Sequence, residues 1–227
     1  MSGAGARPAF YALAPGGWRD YATLLHPPYT LWHLSYVAVG AAIAPTMRWG
    51  LLGWTVLAFL LAMGIGAHAL DELHGRPLGT HIPAGVLVLL AVVSVAAAAA
   101  IGLVVAAERT WWLAAFVAAG AFLVVAYNLE LWGGAFHSDL WFSLAWGAFP
   151  VLTAYFASAG RVRGEAVGAA AFAVAASLAQ RTLSTQVRAA RRAGGDRAAA
   201  LPAERALELL AVALPLLAGA LLLSRSG

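Results

Sequence analysis

Seven stretches of this chain are apolar for about the ~20 residues a helix needs to cross a bilayer. They fall at 29–46, 50–74, 83–107, 110–130, 138–158, 164–185 and 203–223. Inside a bilayer every backbone polar group must bond within its own segment, so spans of this kind are helical. The expected fold is therefore all-α: a polytopic membrane bundle of about seven helices, in one domain over 1–227 with an interfacial segment at 1–28. The composition agrees, with 62% hydrophobic residues, 11% charged and a mean hydropathy of +0.80. Within the first segment, Trp18 to Leu25 reads as a short amphipathic helix along the interface. Pro27 and Pro28 mark the start of the first span. Met1 to Gly17 lacks a charged stretch followed by an apolar one, so no cleavable signal is expected.

Against that background one stretch stands out. His68-Ala-Leu-Asp71-Glu72-Leu-His74 closes the second apolar run, and Gly75 and Pro77 end the helix. Residues three and four apart share a helix face, so His68, Asp71 and Glu72 are expected to point the same way. Ionisable groups at a membrane helix mark a functional site by default.

Counting spans places further groups beside these. Spans one, two, four and six all begin or end on one membrane face. His26, His33, His68, His74, His81 and His137, all six histidines of the chain, fall on or near it. Asp71, Glu72, Glu130 and Asp139 join them. The metal-ligand expectation is His33, His68, Asp71, Glu72, His74, Glu130 and His137, with His26 and Asp139 less firmly in the set. His26 equally suits an interfacial aromatic belt. Asp139 equally suits a helix first turn, where an acid favours the dipole. His81 reads as a loop residue. Gly133-Gly134 allows an irregular turn beside Glu130. Tyr29, Tyr36, Tyr127, Asn128, Arg76 and Arg181 are expected as hydrogen-bond donors around the ligands or as substrate contacts. Arg188 to Arg197 reads as an anchor on anionic lipid.

Nine arginines, Arg7, Arg19, Arg76, Arg181, Arg188, Arg191, Arg192, Arg197 and Arg205, lie on that face and five on the other. This asymmetry puts the histidine-bearing face in the cytoplasm, with the N-terminus inside and the C-terminus outside a cell membrane. The basic residues flank spans instead of forming a tract, so nucleic acid is not an expected partner. Membrane lipid and a lipophilic small molecule are. There is no cysteine, which excludes disulfides and thiolate metal sites. Imidazole with carboxylate suits iron, manganese or zinc. Histidines and carboxylates on facing helices also match the carboxylate-bridged di-iron pattern of helix bundles.

The chain resembles the UbiA superfamily of intramembrane prenyltransferases in two segments. Ala67 to Pro77 lies where that family carries its first aspartate-rich motif. Tyr127 to Phe156, with Asp139-Leu-Trp-Phe-Ser-Leu-Ala-Trp-Gly147-Ala-Phe-Pro150, is similar to its tyrosine-led loop and following helix. The resemblance implies a helical bundle with a lipid-lined cavity and magnesium-dependent chemistry on a prenyl diphosphate. Two departures stand beside it. His68 and His74 enter the first motif, and the second motif's place, Arg181 to Arg188, carries no acid. The leading expectation is thus a metal-dependent membrane enzyme acting on an isoprenoid or quinone-like substrate through a transition metal. Magnesium-dependent prenyl transfer is the alternative, with Asp71 and Glu72 on the metal and Arg76 and Arg181 on the diphosphate. A non-catalytic metal- or lipid-binding relative is the second alternative.

Overall fold

The computed structural model describes residues 9–192 and 197–226, without the side chains of 191, 192 and 197–199. Arg7 and the side chains of Arg191, Arg192 and Arg197 therefore lie outside what is described. The described chain is helical, with no strand among the described residues. A short helix α1 (Trp18–Leu24) precedes α2 (Pro27–Ala42). Then come α3 (Trp49–Leu73), α4 (Ala84–Arg109), α5 (Trp112–Asn128), α6 (Asp139–Ala159), α7 (Gly164–Arg192) and α8 (Arg197–Leu223).

Five of these are long and apolar enough to cross a membrane: Trp49–Leu73, Ala84–Arg109, Asp139–Ala159, Gly164–Ala190 and Ala200–Leu223. The other two expected spans are shorter. α5 is apolar over 17 residues, and α2 has 16. At 1.5 Å per residue α2 is about 24 Å long, less than a ~30 Å hydrocarbon core. Its surroundings explain why it can be short. Eleven of its 16 residues are buried, so protein and not lipid surrounds most of it.

α2 is the axis of the bundle, with α6 on one side and α8 on another. Trp32, Tyr36, Val151, Ala173 and Leu214 form the core between them and α7. Two close approaches set this packing. A Cβ on Gly40 of α2 would collide with the Val151 carbonyl of α6, and one on Gly147 of α6 would stand 2.8 Å from the Ala173 carbonyl of α7. Such small-residue contacts are how helices associate where lipid offers no hydrophobic driving force. The outward face is the opposite of a soluble protein's: Leu89, Val92 and Leu216 are each more than 60% exposed.

Two helices depart from α geometry. α3 widens to π-helix over Leu60–Ala67, and α6 does so over Leu144–Ala148. Single π turns inside α-helices shift the phase of everything beyond them and recur at functional sites. Both here lie toward the end of the bundle that carries the histidines.

The expected breaks are found. α3 ends at Leu73, followed by Gly75 (φ 97°) and Arg76 (φ 53°). Between α5 and α6 the chain turns irregularly, with Glu130 (φ 48°), Trp132 (φ 53°) and Gly133 (φ 68°) all left-handed.

Candidate functional site

At the histidine-bearing end, α2, α3, α5, α6 and α7 surround a cavity of about 420 Å³. Four imidazoles line it: His26 and His33 from α2, His68 from α3 and His137 from the turn before α6. Asp71 adds a carboxylate. Tyr29, Tyr127, Asn128, Gln180 and Arg181 also border it.

Three of the four rings are fixed in the same way. His33 Nδ1 lies 2.9 Å from the Trp146 carbonyl, His68 Nδ1 3.0 Å from the Gly64 carbonyl, and His137 Nδ1 3.1 Å from the Tyr127 carbonyl. A carbonyl oxygen can only accept, so each Nδ1 must carry the proton and donate it. In the neutral ring the lone pair is then on Nε2. None of these Nε2 atoms has a hydrogen-bond partner among the described residues. Gly64 and Trp146 sit inside the two π-helical turns. The departures from α geometry thus coincide with the carbonyls that orient two of the rings.

His26 is held differently. It caps α2 in the left-handed conformation (φ 45°), its carbonyl accepting from the backbone N–H of Tyr29 and Thr30. Pro27 follows it, and a residue before proline is disfavoured in the right-handed helical region. The Tyr11 hydroxyl is 2.5 Å from its Nδ1, and its ring stacks on His68 with centroids 4.2 Å apart. Its Nε2 is buried with no hydrogen-bond partner among the described residues. Burial, and then the neighbouring His68, holds its pKa well below the ordinary imidazole range, so it is neutral.

The opposite wall is α7. Gln180, Arg181, Ser184 and Arg188 face the cavity at helical spacing. The Gln180 Oε1 is buried without a hydrogen-bond partner among the described residues. Arg181 donates from Nε to Asp139 Oδ1 at 2.8 Å and lies over the Phe142 ring.

Several expected site residues are elsewhere. Glu72 is fully buried but faces away from the cavity. Its carboxylate accepts from the Leu78 and Thr80 N–H groups and the Thr80 hydroxyl, all at 2.8–2.9 Å. It does not share the inward face of His68 and Asp71, because the 74–82 loop folds back and supplies these buried donors. Arg76 also holds that loop, donating to the carbonyls of Thr80 and Ile82. Tyr36 belongs to the core: its hydroxyl accepts from Trp32 Nε1 at 2.7 Å and from Ser177 Oγ at 3.3 Å. His74 and Glu130 stand at the rim, half exposed and 4.0 Å apart, with Glu130 3.8 Å from His137. Asp139 is in the first turn of α6 and pairs with Arg181. His81 is in the loop, its N–H donating to Asp20.

Tyr11 is an addition that the sequence did not single out as a site residue. Tyr11 precedes every span and carries no spacing signal. Gln180 stands beside Arg181 in the sequence, where the two together read as candidate contacts for an anionic head group, and both line the cavity.

The cavity fits a metal in kind more than in spacing. Anchored neutral imidazoles with free Nε2 atoms are what a nitrogen-preferring transition ion takes, and a carbonyl on the other ring nitrogen is the usual orienting partner. A carboxylate-bridged pair needs several carboxylates, and among the described residues Asp71 is the one that lines the wall. Among the described residues no three His, Asp or Glu side chains stand close enough together to share an ion as placed.

No protein-family model matches the chain, and no curated protein or solved structure matches it.

Proposed function

We propose that this protein is a membrane enzyme that uses its histidine cavity to act on a lipid-soluble substrate with the help of one transition-metal ion. The observation that carries this reading is the shared orientation of His33, His68 and His137, each with Nδ1–H spent on a main-chain carbonyl. A histidine that merely fills a membrane core has no need of the same tautomer as two others lining the same cavity. His33, His68 and His137, the rings so oriented, with His26 and Asp71 beside them, are the residues that would supply its ligands. A bound iron, manganese or zinc would supply redox or Lewis-acid chemistry. The chain's own contribution is then to fix the rings, to wall the cavity from bulk water with α2 and α7, and to place Arg181 and Gln180 opposite.

In this proposal the chain crosses a cell membrane seven times, with α2 and α5 as short protein-lined crossings. The N-terminus and the cavity are cytoplasmic, on the arginine asymmetry. The substrate is isoprenoid or quinone-like, on the Ala67–Pro77 and Tyr127–Phe156 likeness to the UbiA superfamily. Arg181 and Arg188 on the cavity wall favour a second reading, magnesium-dependent transfer from a prenyl diphosphate. That reading has Asp71 as its one cavity-lining acid among the described residues.

Elemental analysis of the detergent-purified protein separates them. The expected result is one equivalent of iron, manganese or zinc, lost in His33→Ala and His68→Ala and kept in His74→Ala and Glu130→Ala. Well-folded protein without a transition metal would sink the metal reading. Magnesium-dependent binding of a prenyl diphosphate in that protein would establish the second.

A further inference from the structure

A second cavity, an apolar slot of about 110 Å³, lies between α3, α4, α5 and α6. It adjoins the histidine cavity: Met63 and Trp146 line both, so these two side chains stand between the two spaces. From there it runs toward the far end of the bundle. Its lining covers Trp54 to Met63 on α3 and Ala145 to Ala157 on α6. At 1.5 Å per residue that is a slot about 14–18 Å long. Its two hydroxyl-bearing residues spend their protons on their own helices and have no donor left for a head group. Thr55 donates to the Leu51 carbonyl at 2.8 Å and Thr153 to the Phe149 carbonyl at 2.7 Å. Among the described residues no charged side chain lines it. At the far end Trp54 is 55% exposed, so the slot reaches the lipid-facing surface.

The two cavities are chemically opposite and share a wall. One is polar and lined by imidazoles, the other is long and hydrocarbon. We propose that together they form one site for a single-chain amphiphile. Its polar head sits among His33, His68 and Asp71, and its tail lies in the slot between α3 and α6. This rests on the reading of the histidine cavity as a substrate site and adds the tail-binding residues. Lipid is as apolar as the slot, so the hydrophobic effect does not draw the tail in from the bilayer. The slot therefore selects by shape and length. Ala58 and Ala121, halfway along it, are the residues whose size decides how long a tail fits.

The test uses the full chain in phosphatidylcholine nanodiscs and a long-chain fatty alcohol carrying a diazirine at its tail end. After photolysis the labelled peptides are mapped by mass spectrometry. Labelling is expected in Ile101–Val105 and Leu113–Val117. It should be lost in Ala121→Phe and Ala58→Phe, which fill the slot from opposite walls. It should persist in Val125→Phe, on the outer side of α5, where the native side chain is 36% exposed. Unlabelled alcohol should compete and an alkane of the same length should not. Equal labelling in the slot-filling variants, or equal competition by the alkane, overturns the proposal, because bilayer chains would then be the occupant. Metal content is read on the same samples. Labelling that persists in protein without metal leaves the tail site standing and removes only the metal reading.

Discussion

Replacing Glu72 by glutamine separates a structural carboxylate from a ligand. In the native protein its Oε1 accepts from the Thr80 N–H and hydroxyl, and its Oε2 accepts from the Leu78 N–H. The residue is fully buried. A glutamine can keep its oxygen on Thr80, but its NH₂ then meets the Leu78 N–H, donor against donor. One buried N–H loses its acceptor and two hydrogen bonds lose their charge assistance. Leaving a buried donor unsatisfied costs ~1–3 kcal/mol, and hydrogen bonds to a charged group are worth more than neutral ones. The expected loss is about 2–3 kcal/mol, or roughly 4–12 °C in Tm for a chain of this size. Thermal unfolding in detergent measures the loss, and limited proteolysis between residues 74 and 82 shows whether the loop has opened. Metal content per folded protein should stay at the native value. A variant with native Tm and native loop protection that has lost its metal would refute the assignment and return Glu72 to the ligand set.

Further outcomes follow from other contacts. Gly40→Leu drives a side chain into the Val151 carbonyl, so α2 and α6 must separate; expression of folded protein, followed by size-exclusion chromatography, should fall severely. Tyr36→Phe leaves Trp32 Nε1 without its acceptor in the core and should cost ~1–3 kcal/mol in thermal unfolding, with metal content unchanged. Asp139→Asn weakens a pair whose acid is 55% exposed, so Tm should move by less than about 1 kcal/mol equivalent. Tyr11→Phe removes the hydroxyl beside His26 Nδ1; it should lower metal affinity while leaving Tm nearly native, read by titration with zinc against a competing chelator.

That the histidines gather at one end of the bundle was legible from counting. Span parity alone brings residues 26–33, 68–74, 127–139 and 180–188 to one face, because a membrane helix cannot turn back midway. The ends of α3 and the turn at Gly133-Gly134 were legible from glycine and proline. The inward-facing set was not. Helices apolar all round carry no amphipathic stripe to show which side meets protein. The π turns at 60–67 and 144–148 then alter the phase that i, i+3 and i, i+4 counting relies on.

The sequence by itself therefore determined an all-helical chain apolar enough for a membrane, with its histidines gathered at one end, because long apolar segments satisfy their backbone hydrogen bonds internally and the histidines fall near alternate ends of those segments. Only the tertiary structure decided what each polar group does there. Glu72 was taken by a loop that folds back on it, Tyr36 by Trp32 and Ser177, and Asp139 by Arg181 from 42 residues away. His33 is oriented by a carbonyl 113 residues on. Pairings of this kind depend on how neighbouring helices are rotated about their axes, and that rotation is set by close contacts such as Gly40 on Val151, not by any local pattern of residues.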